Sequence, residues 1–125
     1  MKLPEVLAAS RAGITKRFTK SLGYYARGYS GLDKTFRDFC QSKSQGLKYG
    51  KKDIPFLGNP QLRGFMHAHL VHGKVIVVYR VRNGTLFLYD IVEHNSVECG
   101  RELQKLTTYM LSVEDFKFED LKIAA

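Results

Sequence analysis

The four histidines of the sequence lie within a window of 28 residues. His67, His69 and His72 fall in the run HAHLVH, and His94 follows two runs of strand-forming residues. The ordinary pKa of imidazole is the side-chain pKa closest to neutral pH, so histidine can both accept and donate protons there. On a chain of net charge +8, such a cluster indicates acid–base chemistry on an anionic substrate.

The positive charge belongs to the first two thirds of the chain. Residues 1–82 hold 16 Lys and Arg against 4 Asp and Glu, whereas residues 83–125 hold 4 against 8. This asymmetry indicates a phosphate-binding surface followed by an acidic carboxy-terminal part. A basic face that is simply solvated is the other interpretation.

Length and composition indicate one domain, residues 1–125. No apolar run approaches the roughly 18 residues that would span a bilayer, and the amino terminus lacks the apolar core of a signal peptide. Cys40 and Cys99 are far apart and have no metal-ligand spacing. We therefore expect a cytoplasmic protein with reduced thiols and no membrane partner.

Helical spacing predicts two helices near the amino terminus. Phe18, Leu22 and Tyr25 recur at i, i+4 and i+7, and Ser30 with Asp33 predicts a capping box at the start of the second helix. The apolar positions of that second helix are Leu32, Phe36, Phe39 and Cys40. The pattern leaves open whether residues 13–18 form a strand or lead into the first helix.

Glycine, proline and lysine predict a basic loop over residues 44–62. Residues 98–111 have the apolar spacing of a third helix. The last residues are compatible with a strand, a short helix or a tail. Residues from about 98 to 125 thus form a carboxy-terminal extension.

Two turn signals predict a three-stranded antiparallel sheet. The pair at 83–84 is Asn-Gly, which favours a two-residue hairpin turn and places Arg82 opposite Thr85. The same register places Arg80 opposite Phe87 and Val78 opposite Tyr89. Residues 72–73 predict a second two-residue turn, which places Val71 opposite Lys74, His69 opposite Ile76 and His67 opposite Val78.

Strand alternation sorts these side chains onto two faces. The polar face carries His67, His69, Arg80, Arg82, Phe87 and Tyr89. The apolar face carries Met66, Ala68, Leu70, Val75, Val77, Tyr79, Val81, Leu86 and Leu88. We therefore predict an α+β fold, in which a small antiparallel-rich sheet is packed on one face by an amino-terminal helical hairpin, with a further carboxy-terminal helix.

The polar face holds groups that suit single-stranded RNA. Arginines can pair with phosphates, Phe87 and Tyr89 offer stacking surfaces, and imidazoles can move protons. In such a site the 2′-hydroxyl of the RNA can attack the adjacent phosphorus without a metal. The alternative for Phe87 and Tyr89 is that they are core residues beneath a helix, since their face also carries Ile76, Val78 and Ile91.

Three motifs in residues 62–98 carry a resemblance to a known family. They are Ala68-His69-Leu70, Val77-Val78-Tyr79-Arg80 and Glu93-His94. In these motifs the chain resembles the RelE/ParE toxin superfamily, nearest to its YafQ-like mRNA interferase branch. The resemblance implies a RelE-like fold and a toxin that cleaves mRNA, commonly on the ribosome, until a protein antitoxin neutralises it.

The resemblance also implies roles for single residues. His69 and His94 match the catalytic histidines, and Arg63 and Arg80 fall where basic residues contact phosphate. Gly73 stands where the branch has an aspartate, and by proximity alone His67 or His72 could compensate, which makes His67 a third catalytic candidate. Val97 and Glu98 stand where the branch often has an aromatic residue. The further candidates for RNA binding are Lys74, Arg82, Phe87 and Tyr89.

We predict an endoribonuclease toxin that needs no cofactor and no metal. A metal site formed by His67, His69 and His94 is an alternative, which the lack of a suitably spaced carboxylate or cysteine disfavours. A second alternative is a non-catalytic protein of the same fold that binds RNA, the ribosome or a regulatory partner. A third is a ParE-like poison of a DNA topoisomerase.

Overall fold

A computed structural model of the chain describes residues 9–56, 64–94, 108 and 116–120. The described residues form two helices and six strands. In chain order they are β1 (Arg11–Ile14), α1 (Lys16–Gly28), α2 (Leu32–Ser44), β2 (Ile54–Pro55), β3 (Met66–Val71), β4 (Val75–Arg82), β5 (Thr85–Glu93) and β6 (Lys117–Asp120).

The strands form one sheet in the order β2-β3-β4-β5-β1-β6. Strands β1 and β5 are parallel, and the other neighbouring pairs are antiparallel. The predicted α+β class with an antiparallel-rich sheet is confirmed. The carboxy-terminal strand β6 lies beside β1, so part of the expected extension belongs to the sheet.

Local chemistry explains where the helices begin. The side chain of Thr15 accepts a hydrogen bond from the backbone N–H of Phe18 at 2.9 Å, which caps α1 directly after β1. Helix α2 follows Gly31, whose φ of 84° is left-handed, and no side chain caps it. The predicted capping box of Ser30 and Asp33 is therefore wrong, because a glycine turn begins this helix.

The main core lies between the two helices and one face of the sheet. The sheet contributes the predicted apolar residues, of which Ala68, Leu70, Val75, Val77, Tyr79, Leu86 and Leu88 are buried, with Met66 and Val81 packed against them. Phe18, Leu32 and Phe39 of the helices meet this face. Cys40 packs against the same core as a free thiol, and burial raises its pKa to about 12.

The hairpin of β4 and β5 follows the predicted register only as far as Tyr79 opposite Leu88. Beyond it β5 contains one extra residue, and Val78 lies opposite Asp90 instead of Tyr89. The predicted Val78–Tyr89 pair is therefore wrong, because a β-bulge shifts the strand by one residue. The shift places Ile91 opposite Val77 and in the helix-side core, whereas the sequence pattern placed it on the other face.

The hairpin of β3 and β4 keeps His67 opposite Val78 and His69 opposite Ile76, as predicted. Nearer the turn, Val71 lies opposite Val75 rather than Lys74. The turn therefore has three residues and not two. A three-residue turn commonly needs a left-handed residue, and Gly73, with φ of 68°, supplies it.

Some predictions fall on residues that the structure does not describe. The third helix over residues 98–111 lies outside the described residues except for Thr108, and Arg63 and Cys99 also lie outside them. Within residues 44–56, the predicted loop contains the short strand β2. In the described part of the chain, no helix is long and apolar enough to cross a membrane.

Candidate active site

The four histidines form one cluster at the end of the sheet near the β3–β4 turn. His69 lies at its centre, with its ring centroid 5.4 Å from that of His94 and 6.0 Å from those of both His67 and His72. His72 is exposed in the turn, whereas the other three are partly buried. The structure thus brings the three predicted catalytic histidines together.

The β-bulge at Tyr89 determines on which face of the sheet His94 lies. In the bulged register, the backbone N–H of His94 donates to the carbonyl oxygen of Lys74 at 2.7 Å. Lys74 is two residues from Ile76, the partner of His69, and side chains two residues apart along a strand share a face. Without the extra residue in β5, the residue before His94 would occupy this place. The bulge therefore brings His94 to His69.

A backbone amide of the turn fixes the imidazole of His69. The N–H of Gly73 donates to Nδ1 of His69 at 3.1 Å. A ring nitrogen that accepts such a bond carries no proton, so the proton of neutral His69 lies on Nε2. His69 therefore presents Nε2–H to the site as a hydrogen-bond donor.

The surroundings of His69 favour its neutral form. Burial lowers its pKa below the ordinary value, and the positive charge of Lys52 lowers it further. The neighbouring imidazoles of His94, His67 and His72 act in the same direction. A lowered pKa of His69 agrees with the hydrogen bond from Gly73, because an N–H donor cannot bond to Nδ1 once that nitrogen is protonated.

His67 is held more deeply. Its ring stacks on Phe56, with centroids 4.4 Å apart and planes inclined by 23°. Burial lowers the pKa of His67, although a backbone hydrogen bond with Ile54 and the charge of Asp53 oppose the change. Its buried Nδ1 has no hydrogen-bond partner among the described residues. His67 therefore has a packed ring and one buried nitrogen that no described residue pairs with.

A cleft of about 600 Å³ lies between the β3–β4 turn and the chain that joins α2 to β2. Its lining includes Thr35, Tyr49, Lys51, Lys52, His69 and His72. The sequence had shown this segment only as a basic loop. One signal could have added these residues to the candidate site. It is the adjacent pair Lys51-Lys52, which lies in a loop that returns to the strand of the histidines.

A buried ionic network anchors this loop. The carboxylate of Asp53 accepts hydrogen bonds from Nζ of Lys43 on α2, the hydroxyl of Tyr79 on β4, and the backbone N–H of Tyr49. Lys43 and Asp53 are each only 1% exposed. Since Lys52 precedes Asp53 in the chain, the network holds the lysine beside the histidines.

The two predicted arginines on β4, Arg80 and Arg82, lie apart from His69. On β4, Arg80 is four residues from Ile76, the partner of His69, which corresponds to about 13 Å along the strand. The guanidinium of Arg80 lies 4.1 Å from the ring centroid of Phe65, and its Nε donates to the carbonyl of Gly64 at 3.0 Å. Arg82 lies two residues further away. These arginines can meet neighbouring phosphates of a strand but cannot share one with His69.

The two predicted stacking residues have different environments. Tyr89 is 7% exposed, and its ring makes edge contacts with Phe65 and Phe116. The prediction that Tyr89 stacks on RNA is therefore wrong, since a second small core covers the ring. Phe87 is partly buried in the same cluster, against Phe116 and Phe118. It lies opposite Arg80, at the arginine end of the sheet.

Among residues 9–56, 64–94, 108 and 116–120, no three histidine, cysteine or acidic side chains are placed to hold a metal ion. The described cluster combines imidazoles with ammonium groups. Such a set can bind a phosphate by charge and exchange protons with its substituents.

The fold is similar to that of a solved structure from Helicobacter pylori. A crystal structure of a mutant toxin from that bacterium, with copper bound, aligns with a TM-score of 0.57 at 16% identity, covering 69% of this chain and 96% of the toxin. The chain has the fold of this toxin. The solution structure of a conserved hypothetical protein from the same bacterium aligns with a TM-score of 0.44 at 16% identity, covering 67% of this chain and 93% of that protein.

Sequence comparison adds no closer relationship. No protein-family model matches the chain, and no curated protein matches its sequence. The toxin fold is thus established by structure, and the chemistry has to be argued from the side chains of this chain.

Proposed function

We propose that the chain is the toxin of a toxin–antitoxin pair and that it is an endoribonuclease. The observation that carries the proposal is the His69–His94 pair, with ring centroids 5.4 Å apart and Lys52 close enough to lower the pKa of His69. Two imidazoles at this separation can contact different oxygens of one phosphate. The toxin fold supports the proposal, and the substrate class is inferred from the residues.

In this mechanism each group has one role. His94 takes the proton of the RNA 2′-hydroxyl, and the 2′-oxygen forms a bond to the adjacent phosphorus. His69 donates Nε2–H to a phosphate oxygen and stabilises the charge of the phosphorane. The bond from phosphorus to the 5′-oxygen then breaks, and Lys52 supplies that oxygen with a proton. The products are a 2′,3′-cyclic phosphate and a free 5′-hydroxyl.

The remaining candidates hold the strand on either side of the cut. The ring of His67 lies 6.0 Å from that of His69 and is packed on Phe56, so His67 forms a fixed wall of the site beside the scissile phosphate. Lys74 is exposed at the turn next to His94 and pairs with an adjacent phosphate. Arg80 and Arg82, with Phe87 behind them, contact the strand further along, and the YafQ-like resemblance makes Arg63 a further phosphate contact.

The biological setting follows from the same proposal. A YafQ-like toxin acts in the cytoplasm, on mRNA held by the ribosome, and a protein antitoxin neutralises it. The high positive charge of residues 1–82 favours association with ribosomal RNA and with an acidic antitoxin. No step requires a cofactor.

The decisive test compares growth and RNA cleavage. We expect induced wild type to arrest translation and purified protein, with ribosomes, to cleave mRNA in the presence of EDTA. A single 2′-deoxy substitution at the cut should stop cleavage, because the attacking hydroxyl is then absent. His69→Ala and His94→Ala should each lower the cleavage rate by at least about a hundredfold.

Gln41→Ala, an exposed change on α2, is the matched control and should cleave like wild type. If both histidine variants cleave as fast as wild type, the catalytic assignment is wrong. If wild type binds ribosomes without cleaving, the protein is a non-catalytic member of the fold. Inhibition of a topoisomerase without RNA cleavage would instead identify a ParE-like poison.

A further inference from the structure

An exposed aromatic ring lies on the polar face of the sheet, at the end that carries the arginines. The pairing register aligns Arg80, Phe87, Gly13 and Phe118 in one row across β4, β5, β1 and β6. Paired residues of neighbouring strands project from the same face, so Phe118 lies on the face that carries His69. Phe118 is 48% exposed. The row therefore ends in an accessible ring on the side of the sheet where the cut is proposed.

The ring of Phe118 is held in place from one side only. Its centroid lies 6.0 Å from that of Phe87 and 6.3 Å from that of Phe116. These rings pack over β1 at Gly13, where an added Cβ would lie 3.2 Å from both Phe118 and Phe87. Glycine thus lets the rings lie directly against the backbone. The packing fixes the Phe118 ring and leaves its outer side accessible.

Three arginines share the face with this ring. Arg11 is exposed on β1, and its guanidinium carbon lies 5.5 Å from the ring centroid of Phe118. Arg11 and Arg82 belong to the neighbouring row of the sheet, on either side of β5, whereas Arg80 belongs to the row of Phe118. The register places one acidic residue, Asp120, opposite Arg11. The three arginines therefore leave this end of the face positively charged.

Arg80 connects this surface with the histidines. Its guanidinium lies over the ring of Phe65 on β3. Phe65, His67 and His69 alternate along that strand and share the polar face, and four residues, about 13 Å, separate Phe65 from His69. An RNA strand that is cut at His69 and pairs with Arg80 therefore meets the row that ends at Phe118 on the same face of the sheet.

We infer that Phe118 and Arg11 bind a nucleotide of the substrate outside the cut, with its base stacked on the Phe118 ring and a neighbouring phosphate paired with Arg11. Sheets that carry exposed rings and cations bind single-stranded RNA in this way. The inference rests on the proposed function and extends its binding site from β3 and β4 to β1 and β6. Stacking accepts any base, so this platform adds affinity for longer substrates without selecting a sequence.

The test measures binding of an RNA that cannot be cut, which separates this surface from catalysis. The probe is a fluorescent RNA of about ten nucleotides with a 2′-O-methyl group at every position, so that no 2′-hydroxyl can attack. Phe118→Leu keeps an apolar side chain over Gly13 but has no ring, and it should bind the probe about tenfold more weakly. Phe118→Tyr keeps the ring and should bind like wild type. Both variants should melt close to the wild-type temperature, since each keeps the apolar contact.

Charge supplies a second readout. Arg11→Met should lower the slope of log Kd against log salt by about 0.7, the value for one phosphate contact on a single strand. Arg37→Met removes an exposed arginine from α2, on the helix side of the sheet, and is the matched control that should leave the slope unchanged. An equal change of slope in both variants would overturn the assignment of Arg11, because net charge alone would then explain it.

Three other results would overturn the inference. Equal binding of the probe by wild type and Phe118→Leu would exclude the platform, while the histidine mechanism would stand. Equally weak binding by Phe118→Leu and Phe118→Tyr would exclude stacking, since Phe118→Tyr keeps the ring. Loss of antitoxin binding by Phe118→Leu with unchanged RNA binding would make this surface a protein interface. Failure of wild type to bind any RNA would instead refute the proposed function itself.

Discussion

The buried pair of Lys43 and Asp53 allows a sharp stability prediction. Lys43→Met keeps the length of the side chain and removes its charge, so Asp53 is left buried with only the Tyr79 hydroxyl and the Tyr49 amide as partners. Lys43 also loses its bond to the carbonyl of Leu47 at 3.2 Å. The fold then contains an uncompensated carboxylate.

The structure sets the size of the effect. Each residue of the pair is 1% exposed, and removing one partner of such a pair costs about 3–5 kcal/mol. For a domain of this length, that loss lowers the melting temperature by roughly 10–20 °C. Burial lowers the pKa of Lys43 although Asp53 opposes the change, and for a buried pair the cost of desolvation can exceed the gain from pairing. Lys43→Met combined with Asp53→Asn should therefore recover at least half of the loss.

Urea unfolding followed by circular dichroism measures these differences as shifts in midpoint. Lys34→Met, an exposed lysine on the same helix, is the matched control and should change stability by less than about 0.5 kcal/mol. A loss below about 1 kcal/mol for Lys43→Met would refute the reasoning, because Asp53 would then have to be solvated or protonated. A double variant less stable than the single would refute it too, since the unpaired charge would not be the cause.

Three further predictions concern the site and its scaffold. Lys52→Met should raise the pKa of His69 towards its ordinary value in an NMR titration, because the cation that lowers it is removed, while Lys117→Met should leave it unchanged. Gly73→Ala should cost roughly 1–2 kcal/mol in thermal unfolding, because φ is 68° there; unchanged stability would contradict the left-handed turn. Burial raises the pKa of Asp90, so folding binds a proton there. The stability that this proton contributes should be fully present below about pH 4 and should be lost as the pH rises through the folded-state pKa of Asp90. The measurement is the difference in free energy of unfolding between wild type and Asp90→Asn, which should change over this pH range.

Much of the sheet could be predicted because its turns have clear sequence signals. Asn83 and Gly84 have φ of 52° and 73°, as the expected hairpin turn requires. Strand alternation then placed the apolar side chains on the helix side. The pair His69–Ile76 was also predicted correctly from the second turn. The predicted turn is one residue too short, but an irregularity in β3 between His69 and Val71 cancels this error before His69.

What could not be predicted depends on contacts distant in sequence. No feature of the sequence indicates the bulge at Tyr89. The bulge allows Tyr89 and Ile91, which are two residues apart, to be buried on opposite faces of the sheet. The Lys52–His69 approach depends on the buried network of Asp53, whose three partners come from different elements. Propensity and periodicity contain no information about such contacts.

In the proposed mechanism, one backbone group at Gly73 determines the role of the His69 side chain. An aspartate at this position, as in the YafQ-like branch, would accept a hydrogen bond from a protonated Nδ1 of His69. Nε2 would then carry no proton and could act as a base. Here the Gly73 N–H donates to Nδ1, so Nε2 carries the proton and donates instead. In the proposed mechanism, removal of the 2′-hydroxyl proton then falls to His94, which the bulge in β5 brings to within 5.4 Å of His69, measured between ring centroids. In the proposed mechanism the turn amide and the bulge thus give different roles to two histidines that sequence alone treats as equivalent.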